Sequence, residues 1–271
     1  MIPASLRYHR ASSVDDALAV LAEHGDEAKL LAGGHSLLPL MKLRLAAPEV
    51  VVDIAGLGEL SYVRLDGDTV AIGAMTRYCD LERDPVLVEH APLLAHVSGV
   101  VGDPQVRHRG TIGGSVAHGD AAADLPAALL AADASFVVRG RDGDRTVAAK
   151  DFFLGPFTTA LEADEVLTEI RVPRSEAGWG FEKFTRRAID WAVVGVAVSG
   201  RQVALINMAG TPVRAEATER ALADGASVPE AAALAAEGTS PADEPHATAE
   251  YREHLARVLT ERALVQAERR S

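Results

Sequence analysis

Cysteine is almost missing from the chain: Cys79 is the single thiol in 271 residues. One thiol closes no internal disulfide and cannot by itself hold an iron–sulfur cluster or a cysteine-rich zinc centre, so redox work here requires a borrowed cofactor. Positive charge is also short, with 27 Lys and Arg against 39 Asp and Glu and a formal charge of −12. That field repels a phosphate backbone, which excludes nucleic acid as a partner. No stretch of 18 apolar residues occurs and the first ten residues lack an apolar signal core, so a soluble, cytoplasmic chain with no membrane span is expected. Aromatics make up only 4%, which leaves helices to pack on small side chains and makes each aromatic worth individual attention. What remains is ample: 48% hydrophobic and 24% charged residues with a mean hydropathy of +0.07. A chain of this length and composition builds real cores, in two domains.

Val14, Ala17, Leu18 and Leu21 recur at helical spacing behind Ser13, with Asp15 and Asp16 in the first turn. Residues 29–32 and 50–54 read as strands, with a short helix at 37–43 interrupted by Pro39 and a turn at 55–58. A hairpin around Asp66-Gly67 follows, then helices at 76–83 and 92–98, a helix at 124–131, strands flanking Asp142-Gly143, and a strand at 165–172 closed by Pro173. Strands and helices mix without regular βαβ alternation, which predicts an α+β fold. The polar run Arg174-Ser175-Glu176-Ala177-Gly178 is the best domain boundary. It divides the chain into 1–176, with lobes at about 1–57 and 58–176, and 177–271. Beyond it come strands near 179–184, 192–198 and 203–207 and a long helix over 249–269, with a poorly fixed Ala-, Gly- and Pro-rich connection at 225–245.

Two segments place paired glycines beside small polar groups: Ala32-Gly33-Gly34-His35-Ser36 and Thr111-Ile112-Gly113-Gly114-Ser115. Paired glycines let successive backbone N–H groups converge on an anion, and nearby hydroxyls add donors. Two such loops can grip a pyrophosphate from both sides; ordinary tight turns are the competing reading. Neither is a P-loop. Gly56-Leu57-Gly58 follows a strand as a dinucleotide fingerprint does, but it lacks the third glycine and leads into a hairpin. His108, His118, Asp120 and Asp124 match no compact metal-ligand spacing, and Ser36 and Ser115 lie outside any nucleophile elbow. Cys79 reads as a small packed residue. No catalytic side chain and no metal site are assigned.

In order along the chain, Ala32 to Leu45 (AGGHSLLPLMKLRL), Val52-Asp53-Ile54, Ile72-Gly73-Ala74-Met75-Thr76, Gly110-Thr111-Ile112-Gly113-Gly114-Ser115 and the run from Asp120 to Pro126 resemble the FAD-binding medium subunit of the molybdenum hydroxylases. That family includes aerobic carbon monoxide dehydrogenase and xanthine dehydrogenase. Pro212-Val213-Arg214-Ala215 and the helix after Tyr251 resemble its C-terminal flavoprotein domain, so nearly the whole chain is covered.

The resemblance implies a two-lobed FAD-binding domain of the vanillyl-alcohol oxidase type followed by a smaller α+β C-terminal domain. It implies that Ala32, Gly33, Gly34, His35 and Ser36, with Thr111, Ile112, Gly113, Gly114 and Ser115, bind the FAD pyrophosphate. Asp124 aligns with the family's acidic FAD contact, Val101 with a residue packed at the adenine end, and Leu161, Leu167 and Lys183 with further contacts. Lys183 would place positive charge near the flavin, and Trp191 would lie against the isoalloxazine, its alternative being the core of the C-terminal domain. The partners implied are a large molybdopterin-binding subunit and a small [2Fe–2S] subunit, in a dimer of heterotrimers, with an external electron acceptor beyond them. A free-standing flavin oxidoreductase acting on a small molecule, or an FAD-free scaffold subunit, are the alternatives.

Overall fold

The computed structural model describes residues 2–270. Three larger sheets follow one another along the chain, and a two-stranded one pairs Phe153–Gly155 with Thr158–Thr159. The first is parallel and three-stranded, with Val50–Asp53 between Arg7–Arg10 and Ala28–Leu31, pairing Tyr8 with Val51 and Leu30 with Val52. The unbroken run Val50-Val51-Val52 suits a central parallel strand covered on both faces. The connecting helix Val14–His24 starts where the Ser13 hydroxyl accepts from the Asp16 N–H at 3.0 Å, and it buries Val14, Ala17 and Leu21 on the sheet.

The second sheet is antiparallel and five-stranded, in the order Val63–Asp66, Thr69–Gly73, Val166–Pro173, Ser135–Gly140, Gly143–Ala148. Helices Pro92–Val100, Ile112–His118 and Asp124–Ala131 share its core, where Phe136 and Phe152 meet edge to face at 4.6 Å. The third sheet runs Trp179–Phe184, Val194–Ser199, Gln202–Ile206, Val213–Arg214. Helix Ala249–Arg269 covers one of its faces. The other face, through Ala197, Ala204 and Ile206, joins the core of the second sheet. Helix Asp124–Ala131 lies between the two halves, and all eight of its residues are buried.

Three local expectations change. Pro39 does not interrupt helix Leu37–Leu43; it is the third residue, in the first turn, where a missing N–H breaks no intrahelical bond. The Thr111-to-Ser115 segment is not a loop but the start of helix Ile112–His118, with Thr111 as its cap accepting from the Gly114 N–H at 3.2 Å. Residues 225–245 are not a loose connection. Ser227 and Glu230 form a reciprocal capping box for Val228–Ala232, and Ala231, Ala232 and Ala235 are buried under the long C-terminal helix. The alanines of this segment are the small faces that let these helices close up.

Candidate functional site

The two glycine segments meet. A Cβ on Gly33 would stand 2.2 Å from the Arg109 carbonyl oxygen, and one on Gly114 would lie 3.8 Å from the Ala32 Cβ. Gly33 is therefore required by backbone packing on Arg109-Gly110, the residues leading into the second motif. Gly113 is required for a similar reason, since its Cβ would fall 2.5 Å from that of Ala74. Gly34 takes a left-handed φ of +78°.

Their backbones differ in what they leave available. In the second motif the first-turn donors are already used: Ile112 N–H to Thr76 O, Gly113 N–H to Ala74 O, Gly114 N–H to Thr111 Oγ1, and Ser115 N–H to Thr111 O. In the first, none of the N–H groups of Gly33, Gly34, His35 or Ser36 donates to a protein acceptor among the described residues. The two segments expected to grip a pyrophosphate from both sides thus differ in the donors they leave free. One loop presents a row of four free amides, and the other braces it and contributes side-chain hydroxyls.

Both segments line one cleft of about 710 Å³ between the first lobe, the second sheet's helices and the edge strand Trp179–Phe184. Fifteen of the sixteen residues singled out from sequence line it; only Ile112 does not, its side chain being fully buried in the core. Val101 follows the end of helix Pro92–Val100. Leu167 lines the cleft from strand Val166–Pro173, and Leu161 from the loop before it.

Across the cleft Lys183 Nζ donates to Asp124 Oδ2 at 2.7 Å, joining residues 59 positions apart. Asp124 is 6% exposed, and its Oδ1 has no hydrogen-bond partner. Burial raises the Asp124 carboxyl above the usual range, with the Lys183 charge and hydrogen bond opposing. The Lys183 ammonium, expected to place positive charge near the flavin, is thus paired with the buried Asp124. Burial also pushes the neighbouring Tyr78 phenol up to about 12, opposed by a Ser115 hydrogen bond and reinforced by Asp124, so Tyr78 remains a neutral donor. Trp191 is 60% exposed, which removes it from the C-terminal core.

Tyr78, Met75 and Phe157 also line the cleft and were not singled out, and so does His118, which was weighed only as a metal ligand. Tyr78 was within reach as one of only four tyrosines in a chain poor in aromatics. Phe157, whose ring centroid lies 5.1 Å from that of His118, carries no signal beyond the proline before it. Burial lowers the His118 imidazole below its usual value.

Chemically, the cleft offers amide donors for an anion at one end and, beside Asp124, a buried acceptor lacking its donor. Apolar and aromatic walls between them suit a long, partly planar molecule. The model of the FAD binding domain in molybdopterin dehydrogenase matches residues 4–175, and that of the CO dehydrogenase flavoprotein C-terminal domain matches 179–267. The carbon monoxide dehydrogenase medium chain of Hydrogenophaga pseudoflava is 44% identical, covering 97% of each chain. Among solved structures, carbon monoxide dehydrogenase from that organism superposes with a TM-score of 0.95 at 46% identity, covering 100% of this chain and 99% of that one. Quinoline 2-oxidoreductase from Pseudomonas putida 86 does so at 0.92 and 31%, covering 99% of each. Two adjoining family matches and full-length relatives agree with a cleft built from the glycine motifs: the chain is an oxidoreductase component with FAD as its cofactor, and it belongs to the FAD-binding medium subunits of the molybdenum hydroxylases.

Proposed function

We propose that this chain is the electron-transfer flavoprotein subunit of a molybdenum hydroxylase. A large molybdopterin-binding subunit oxidises the organic substrate, and a small subunit carries electrons through [2Fe–2S] clusters to FAD on this chain. An external acceptor then takes them. The assembly is a cytoplasmic dimer of heterotrimers, and the FAD-binding part corresponds to residues 1–176, with 177–271 as the C-terminal domain. Bound FAD supplies the exchange between paired and single electrons that such a relay requires.

The residues present suit that cofactor. The free N–H row from Gly33 to Ser36 provides donors for pyrophosphate oxygens, and the Ser115 hydroxyl adds another. Asp124 Oδ1, buried without a partner, is an acceptor for a hydroxyl or N–H of the cofactor. Lys183 hydrogen-bonds and orients Asp124, while Val101, Leu161 and Leu167 line the walls. Trp191 provides an exposed aromatic face at the cleft mouth.

The observation that carries the reading is the row of unused amides facing one cleft with an orphaned buried carboxylate oxygen. Purification followed by a visible spectrum tests it, and a yellow chain with stoichiometric FAD is expected. A colourless chain that takes up no added FAD refutes it. Rapid turnover of an organic substrate by the FAD-loaded chain alone would favour the free-standing oxidoreductase instead.

A further inference from the structure

Two stretches of this acidic chain hold no Asp or Glu, residues 28–48 and residues 104–119, although acidic side chains number 39 in 271. They are the stretches that carry the two glycine motifs, and the fold joins them on the outside as it does within the cleft. Gly33 packs on the backbone of Arg109, and a Cβ on Gly34 would stand 2.9 Å from Leu38 Cδ1. Arg77 is bridged antiparallel to Thr111, with the Tyr78 N–H donating to the Gly110 carbonyl at 3.1 Å. The segments carrying Arg77 and Arg109 therefore lie against the residues that lead into helix Leu37–Leu43.

That helix has two faces. Leu37 and Leu40 line the cofactor cleft, whereas Leu38 and Lys42, one turn apart, are exposed. The helix ends at Arg44, which takes a left-handed φ of +59° where glycine or asparagine is the usual residue. A side chain kept there against backbone strain points to a use beyond the turn. Leu43 and Leu45, on either side of it, are 55% and 73% exposed. Lys42, Arg44, Arg77 and Arg109 are all exposed, and none has a carboxylate partner among the described residues. None of these four, nor Leu38, Leu43 or Leu45, lines the cofactor cleft, so the phosphates of the cofactor do not account for them.

We propose that this face, three leucines among four unpaired cations, is the docking surface for the small [2Fe–2S] subunit, which meets it with an apolar patch rimmed by carboxylates. The inference rests on the flavin reading above and names the surface at which its electron donor sits. An apolar centre inside a charged rim is how a protein interface is built. On a chain of formal charge −12, four unpaired cations make a local field opposite in sign to the whole, which steers an acidic face to this place. A second copy of this chain does not fit, because a two-fold contact through the patch sets cation against cation. A bilayer of anionic lipid does not fit either, since the net charge of the chain repels it. The helix then selects among partners. Electrons enter at the cofactor, and this helix has the cleft on one side and the patch on the other, so a donor docked here stands about one helix diameter, roughly 10 Å, from the cleft. A subunit that handles only the organic substrate has no need of that proximity.

The test is photochemical cross-linking in the complex obtained by co-expressing the chain with its large and small subunits, with a benzophenone amino acid in place of Leu45. A covalent product with the small subunit is expected. A product with the large subunit or with a second copy of this chain, or no product at all, overturns the proposal. Arg44→Glu and Arg77→Glu lie on separate elements, both exposed and both outside the cleft. Each should keep its FAD colour and weaken binding of the small subunit at least tenfold, read by interferometry on the FAD-loaded chain at low salt. The native affinity should fall as sodium chloride is added, and less steeply in either variant. Affinity unchanged in both variants overturns the proposal, as does sedimentation of the native chain with phosphatidylglycerol vesicles in place of small-subunit binding. A colourless chain that takes up no FAD overturns both readings; a yellow chain that docks its small subunit elsewhere overturns only this one.

Discussion

Replacing Lys183 with methionine removes the counter-charge of Asp124 while keeping most of the volume. In the native chain the two side chains, 11% and 5% exposed, are joined at 2.7 Å. Removing one member of a buried pair typically costs about 3–5 kcal/mol, because the other charge is left uncompensated. Here the loss has a ceiling, since Asp124 can take up a proton instead. Holding a proton at pH 7 on a carboxyl of ordinary pKa near 3.9 costs about 1.36 kcal/mol for each of roughly three pH units, or about 4 kcal/mol. At pH 5 the same reckoning gives about 1.5 kcal/mol. The sign follows from linkage. Burial already raises Asp124 on folding, so its contribution is fully present below the unfolded pKa and is lost as pH rises through the folded one. Lys183→Met raises it further, and the deficit of the variant must grow with pH. Urea unfolding at pH 5, 6 and 7, with free FAD at the same excess throughout, measures it. A deficit that stays flat across this range, or remains below about 1 kcal/mol at pH 7, would refute the view that Lys183 stabilises a buried carboxylate.

Gly33→Ala should unfold or markedly destabilise the chain, by more than about 3 kcal/mol, because its Cβ meets the Arg109 carbonyl at 2.2 Å; a melting temperature within a few degrees of native would contradict that packing. Gly113→Val should fail in the same way against Ala74, whereas Gly114→Ala meets only the Thr111 hydroxyl at 2.8 Å and should keep its circular dichroism while losing FAD affinity, read by flavin fluorescence. Asn207→Ala removes two bonds to Ala192 and Val193 and puts alanine at φ +61°, for a loss of about 1–3 kcal/mol; hydrogen exchange should accelerate around 191–194 first.

Periodicity and turn residues carried most of the architecture in the sequence. Val14, Ala17 and Leu21 specify one face of a helix, and Asp142-Gly143 specifies a hairpin. Glycine in both motifs was read as letting backbone approach an anion, whereas Gly33 and Gly113 also face protein atoms too close for a Cβ. Two Gly-Gly motifs look alike in one dimension, but only the fold shows that Thr111 caps a helix and uses up the amides behind it, leaving Gly33 to Ser36 as the open row. Asp124 and Lys183 were each placed in the site through the family resemblance, yet no local pattern joins residues 59 apart, so their mutual neutralisation was out of reach. Asn207 and Phe157 owe their roles to left-handed backbone set by tertiary contacts, which composition does not encode. The alanines of 225–245 misled because small residues signal flexibility in a loop and close packing beneath a helix, and only burial distinguishes the two.

Helix Asp124–Ala131 has no solvent face, because its two sides belong to different halves of the chain. A cut after residue 176 would therefore release a fragment with bare leucines and alanines where the third sheet had covered them. Such a fragment would be expected to clump or be degraded during synthesis, since the helix that carries Asp124 remains uncovered until the ribosome has delivered the strand Gln202–Ile206. Cofactor loading is thus expected to wait for the last third of the polypeptide, which supplies Lys183 and Trp191 to the cleft.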